Sequence, residues 1–264
     1  MNDTERQSFR SILGRYALLI DFTLLLVLWQ VGASEADLAY LPSPLEVWHG
    51  LLDAWNNERD NLGDQLVVST RRVVLSVGLG TAFALPLALL TAQSRWLDRF
   101  VSPLIYFLYP APKVVFIPLI ITILGLGDKS RVFLISLVIF FQVFVIVHDA
   151  ATLVPVQTLE TLSSLGANRW QMLRYVYIPI SIPAVTTALK ISTGTAIAVL
   201  FIAETIAGRS GLGFYINDQW NRYNYVGMYA GIVTISALGL GLFAIFTLLE
   251  RYLTRWQRTT QPID

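Results

Sequence analysis

Apolar residues in this chain come in long unbroken runs, and the charged residues collect between them. Runs of this kind predict membrane-crossing helices, because about 20 apolar residues at a helical rise cover the hydrocarbon of a bilayer. Six runs qualify, at residues 16–33, 73–92, 101–124, 132–147, 184–203 and 225–249, the fourth being short. None alternates apolar with polar positions as the strands of a closed barrel would. The expected fold is therefore an all-α membrane protein with about six transmembrane helices. Composition agrees: 55% of the 264 residues are hydrophobic and only 14% charged, against roughly 25% charged in a soluble domain.

The positions of Lys and Arg set the orientation. With the N-terminus inside, the cytoplasmic segments hold ten arginines: Arg6, Arg10, Arg15, Arg95, Arg99, Arg169, Arg174, Arg251, Arg255 and Arg258. The outer segments hold seven basic residues: Arg59, Arg71, Arg72, Lys129, Arg131, Arg209 and Arg222. The first outer loop is acidic, with Glu35, Asp37, Glu46, Asp53, Glu58, Asp60 and Asp64. The reading is N-in and C-in. It gives a cytoplasmic segment at 1–15, one transmembrane domain over 16–252 and a cytoplasmic tail at 253–264. "VGAS" after the first run loosely resembles a cleavage site, but the run is longer than a signal peptide's apolar region, so an uncleaved span is expected.

Several features stand inside or beside these spans. In "YLPSPLEVWHGLLDAW" the positions Leu45, Trp48, Leu51, Leu52 and Trp55 keep helical spacing, which predicts a helix lying on the outer face with its tryptophans at the interface. In "YPAPKVVFIPL", Pro110, Pro112 and Pro118 break the third span. Irregular backbone survives at membrane depth only when buried in protein or lining a wet cavity. Lys113 lies in this break, and either snorkels to an interface or faces the interior. Ala184, Ala188, Ser192 and Ala196 put small residues on one face of the fifth span; Gly227, Gly231, Ala237 and Gly241 repeat the spacing in the sixth. Such faces admit a close neighbouring helix. Lys190 and Glu204 are the remaining charges near span five. Glu204 is either the outer end of a path or a residue at the water boundary, and Lys113, Lys190 and Glu204 are the candidate pathway residues.

Other chemistry is scarce. No cysteine is present, which excludes disulfides and thiolate metal sites. His49 and His148 stand alone, outside any metal-binding spacing, and read as structural residues. A net charge of +1 offers nothing toward nucleic acid, and no nucleic-acid partner is expected.

The stretch 148–183, between spans four and five, is different. "ETLSSLGANRWQMLRYVYIP" is polar and sits between two strongly apolar runs, on the cytoplasmic side by the orientation above. Val156, Leu159 and Leu162 share one face of a first short helix. Gly166 breaks it with a left-handed turn. A second helix follows over 170–176, and Pro179 and Pro183 close the segment. A rigid elbow with a polar tip, joined directly to membrane helices, suits the passage of force from a soluble partner.

At Glu160, Gly166, Val176, Ile178 and Pro179 the spacing resembles the cytoplasmic signature of binding-protein-dependent ABC importer permeases: E-A-A, a glycine four residues on, then I-x-L-P. Thr161 and Leu162 stand where that signature has alanines. "LPSPLEVWHGL", "PAPKVVFIPLIITILGLGDKSRVF" and "AETIAGRSGLGFYI" further resemble the permeases for sulfonates, taurine, nitrate and bicarbonate, so the likeness runs from about residue 41 to 256. The resemblance implies a multi-pass subunit of the bacterial inner membrane and a homodimer around one pathway. It also implies two ATPase subunits below and an external substrate-binding protein. By the same resemblance Glu160, Thr161, Ser164, Leu165, Gly166, Ala167, Asn168, Arg169 and Trp170 form the coupling helix region, with Pro179 closing the motif. The cargo would be a small organic or inorganic anion.

The chain has no G-x-x-x-x-G-K-[ST] loop, so ATP and Mg2+ are expected on the partner ATPase and no cofactor on this chain. The competing class is an ATP-independent carrier or channel. Such proteins bury acids or histidines as ion relays and often carry an inverted repeat, and the sequence shows neither. An intramembrane enzyme would need paired catalytic groups at depth, which no span offers.

Overall fold

The computed structural model describes residues 3–36, 38, 40–56 and 61–255, without the side chains of residues 3–18, 36 and 207. The side chains of Arg6, Arg10, Arg15, Asp37, Glu58, Arg59, Asp60 and Arg258, and the tail from residue 256, therefore lie outside the described residues.

All regular structure among the described residues is helical. The order is α1 (Asp3–Ala36), α2 (Pro44–Asn56), α3 (Leu62–Gln93), α4 (Arg95–Leu108), a 3-10 turn (Lys113–Phe116), α5 (Ile117–Leu124) and α6 (Asp128–Thr152). Then come α7 (Val156–Ser164), α8 (Arg169–Met172), a π-turn (Leu173–Tyr177), α9 (Ile178–Ala207), α10 (Leu212–Asn221) and α11 (Tyr225–Leu253). Among the described residues four helices are long and apolar enough to cross a membrane: Leu62–Gln93, Asp128–Thr152, Arg169–Ile206 and Tyr225–Leu253. A fifth crossing is available if Arg95–Leu108 and Lys113–Leu124, bent by 90° at their break, act as one span. The first expected span, 16–33, falls inside α1. The chain is a multi-pass membrane protein. It sorts into two compact units, residues 1–62 with 216–232, and residues 63–215 with 233–264.

In the first unit, α2 starts with a capping box behind Pro44. The Ser43 amide donates to Glu46 Oε2 at 2.7 Å, and the Glu46 amide donates back to Ser43 Oγ at 3.3 Å. The Ser43 amide, and then its hydroxyl, hold the Glu46 carboxyl below the usual glutamate range. That small contribution is present above the ordinary glutamate range and fades as pH falls through the lowered value. Trp29 Nε1 donates to the Pro42 carbonyl at 3.0 Å and its ring lies 5.8 Å from Tyr229. Gly50 packs so closely on Val226 that an added Cβ would overlap Val226 Cγ1.

The second unit is built on α6, whose Ile135, Ile139, Val143, Phe144 and Val147 are fully buried. Its main neighbour is α9, whose expected small-residue face, Ala184, Ala188, Ser192 and Ala196, is buried throughout. The α11 face does not behave alike, since nothing lies within 4 Å of a Cβ built on Gly241. The third span is irregular as Pro110, Pro112 and Pro118 require.

The prolines after the polar stretch act differently from expectation. Pro179 and Pro183 do not close it: the helix runs on from Arg169 to Ala207 through the π-turn. Ile178 N–H donates to the Leu173 carbonyl five residues back, a widened turn that lets the chain enter Pro179 at the first turn of α9, where a missing amide costs nothing. The segment 148–183 is accordingly helical at both ends, to Thr152 and from Arg169.

Candidate functional site

The elbow between α6 and α9 is assembled from local rules. α7 ends in a Schellman motif: Gly166 N–H donates to the Ser163 carbonyl at 2.9 Å and Ala167 N–H to the Leu162 carbonyl at 3.0 Å. Gly166 takes φ +80° there, the left-handed region that the sequence assigns to it. Asn168 then starts α8 with a reciprocal cap. Its Oδ1 accepts from Gln171 N–H and its own N–H donates to Gln171 Oε1, both at 2.8 Å. Replacing Asn168 with alanine removes the side-chain half of this cap, the bond accepted by Oδ1, and should destabilise the α8 start by about 1 kcal/mol, visible as faster amide exchange in Arg169–Met172.

This elbow carries no buried residue in either helix. Glu160, Thr161, Ser164, Leu165, Asn168, Arg169 and Trp170 are exposed, Ala167 and Pro179 are half-buried, and Leu165 and Trp170 keep 79% and 64% of their surface in the open. Leu159 and Leu162 are half-buried, whereas Val156 of the same expected face is exposed. The result is an apolar and charged tip held rigid by hydrogen bonds rather than by packing.

A second cluster joins α3, α6 and α9 within the same unit. Arg72 is almost wholly buried, and its guanidinium reaches Glu204 Oε1 at 2.7 Å, Asp128 Oδ1 at 2.7 Å, Ser210 Oγ at 2.8 Å and the Ser210 carbonyl at 2.8 Å. Glu204 is completely buried. Its carboxylate also accepts from Ser69 Oγ at 2.9 Å and from Gly213 N–H at 2.9 Å. Arg71 pairs with the other oxygen of Asp128, and Arg131 lies 3.7 Å from Asp128 Oδ1. Gln65 accepts from Gly211 N–H at 2.5 Å. The glycines make room for this network. Gly211 sits at φ +103°, where an added Cβ would overlap Glu204 Oε1, and a Cβ on Gly213 would meet the Phe201 carbonyl at 2.6 Å.

The expected pathway residues are not brought together. No hydrogen bond or ion pair joins Lys113, Lys190 and Glu204 among the described residues. Lys113 faces the interior: Nζ donates to the Leu108 carbonyl at 2.8 Å and to that of Tyr109, and lies 4.5 Å from the Phe141 ring centre. It closes the C-terminal end of α4, where carbonyls have no helical partner. Lys190 pairs with Glu250 of α11 at 2.5 Å. Glu204 is completely buried within the chain, tied into the Arg72 network at the end of α9. His148, expected as a structural residue, stacks its ring on Phe144 and places Nε2 2.8 Å from Asp98 Oδ1.

The family model described as "Binding-protein-dependent transport system inner membrane component" matches residues 84–255. The chain belongs to this family of permeases. The permease is 29% identical over 247 residues to the riboflavin transport system permease protein RibX of Chloroflexus aurantiacus, covering 91% of this chain and 90% of that one. It is 28% identical over 242 residues to the taurine transport system permease protein TauC of Escherichia coli K12, covering 90% and 88%. Among solved structures, the inward-facing MetNI methionine ABC transporter aligns with a TM-score of 0.63 at 20% identity, over 73% of this permease and 96% of that chain. A bacterial alginate importer aligns at 0.55 and 16% identity, over 94% and 99%. These structures share the permease's fold.

Proposed function

We infer that this permease forms the translocation pathway of an ATP-driven importer of the bacterial inner membrane, delivering a small solute handed over by an external binding protein. The observation that carries the reading is the elbow at 156–172: exposed, rigidly capped and fused through a continuous helix to α9. Its place inside the family match supports Glu160–Trp170 as the seat of a soluble ATPase, which would bind the ATP and Mg2+. Six spans, with α1 as the first and both termini inside, fit the distribution of arginines. Two permease copies and two ATPase subunits complete the proposed complex.

For the cargo, the likeness to the taurine permease TauC and to the putative aliphatic sulfonate permease SsuC of Bacillus subtilis supports a small anion. The likeness to RibX supports a second reading, an uncharged heterocycle of the riboflavin kind. Lys113 and Lys190 argue little for an anion path, because both are occupied by partners within the chain.

Affinity purification of the tagged chain in mild detergent tests the central claim. An ATP-binding subunit should co-purify at equal stoichiometry and be lost when residues 160–170 are replaced. Repeated recovery of the chain alone would favour an ATP-independent carrier.

A further inference from the structure

In the first unit, α2 divides its surface three ways. Val47, Ala54 and the Gly50 contact with Val226 face protein. Glu46, His49, Asp53 and Asn56 form an exposed polar stripe. Leu45, Trp48, Leu52 and Trp55 form a separate exposed apolar stripe, at 62%, 57%, 42% and 51%. Of the outer face expected from helical spacing, Leu45, Trp48, Leu52 and Trp55 are exposed and Leu51 is half-buried. Helical spacing sets the two exposed stripes roughly 100° apart, as a helix held at a boundary between water and hydrocarbon requires.

The apolar stripe continues onto α1. Leu45 and Trp48 share a groove of about 380 Å3 with Leu26 and Val27 of α1, whose Leu24, Leu25 and Leu28 are likewise exposed. A second cavity of about 310 Å3 adjoins it, with Gln30 common to both, and is lined by Ser34, Ser43 and Glu46. Along α1 the lining thus changes from Leu26 to Ser34 over eight residues, about 12 Å at 1.5 Å per residue. That is the passage from acyl chain to headgroup in one lipid. Glu46 is the charged group in these linings, and among the described residues neither cavity has a basic one. Ser43 occupies Glu46 Oε2, leaving Oε1 without a hydrogen bond among the described residues.

We propose that the α1–α2 groove is a binding site for a zwitterionic phospholipid with a terminal ammonium, its acyl chain under Trp48 and its ammonium on Glu46 Oε1. Phosphatidylethanolamine is the probe of that chemistry. Charge complementarity disfavours a purely anionic headgroup in the same seat, because Glu46 would repel it and nothing in the lining would neutralise it. Continuity with the exposed apolar face of α1 makes hydrocarbon, rather than water, the medium over the groove.

The full-length chain, reconstituted in nanodiscs with acyl-brominated lipids, tests this. Quenching of Trp48 is read as the difference between the chain and its Trp48→Phe variant, which subtracts the other six tryptophans. Brominated phosphatidylethanolamine should quench at a mole fraction about threefold to fivefold lower than brominated phosphatidylglycerol, the scale of one exposed charge pair. Glu46→Gln should abolish that preference while leaving the quenching itself, and Val27→Phe, which fills the groove without adding a tryptophan, should weaken both. Equal quenching by the two lipids in the unaltered chain overturns the headgroup assignment. No quenching of Trp48 by either, as when a second copy or a binding protein covers the groove, overturns the site.

Discussion

Glu204→Ala should cost about 3–5 kcal/mol, because it leaves the Arg72 guanidinium buried with only the half-exposed Asp128 to balance it. Arg72→Ala should cost at least as much, since Glu204 is completely buried and would keep as hydrogen-bond donors a hydroxyl and one amide, with the Arg131 guanidinium nearby. Both changes should appear as a large loss of thermal stability in detergent, followed by the permease's tryptophan fluorescence. The double replacement Arg72→Met with Glu204→Leu separates two explanations. A buried ion pair contributes little net stability over well-packed apolar groups, while its halves alone are costly. The double variant should therefore be far more stable than either single variant, a coupling that only a direct interaction gives. Single variants within 1 kcal/mol of the parent would show that the network is not closed as described. Transport by the stable double variant then tells whether the charges serve more than the fold: Ser69, Asp128 and Ser210 would remain, but the tie between α3 and α9 would have lost its direction.

Much of this fold is legible in the chain because the membrane forces local solutions. Every apolar run longer than about 18 residues must satisfy its own backbone, so helices follow from composition alone. The bend after α4 is legible because Pro110, Pro112 and Pro118 withdraw three donors from nine residues. Gly166 is legible as a left-handed stop, and the structure places it at φ +80°. The Arg72–Glu204 pair is not, because 132 residues separate its members and neither has a local signature. Arg71 and Arg72 count in the sequence only as charges that set orientation. The spacing of Gly208, Gly211 and Gly213 just after Glu204 is the one signal that could have pointed there, since three glycines in six residues announce a backbone drawn tightly around something. Pro179 and Pro183 mislead for the opposite reason. A proline ends a helix only when nothing upstream adjusts, and here a π-turn does.

That continuous helix sharpens what the elbow should do. Force applied at Glu160–Trp170 has no hinge between α8 and α9 in which to dissipate: the residues from Arg169 to Ala207 form one helical body that packs along α6. Glu160 and Arg169 are exposed and make no ion pair within the chain among the described residues, so reversing both charges should leave the permease's own fold intact. The expected result of Glu160→Arg with Arg169→Glu is that solute uptake into proteoliposomes falls at least tenfold, while thermal stability changes by less than about 0.5 kcal/mol, the range of surface substitutions. The partner's ATP hydrolysis should persist but lose its stimulation by solute and binding protein. An elbow that merely caps α9 would give the reverse pattern, with stability lost and uptake per folded molecule unchanged. Uptake and stimulation both at the parental level would dismiss the coupling role, and with it the reason for holding an exposed tryptophan and leucine rigid at the tip. Asn168→Ala supplies the internal control, since it loosens the cap without altering charge. A graded loss of uptake in that variant, smaller than in the double reversal, is what a stiff lever read by its surface charges requires.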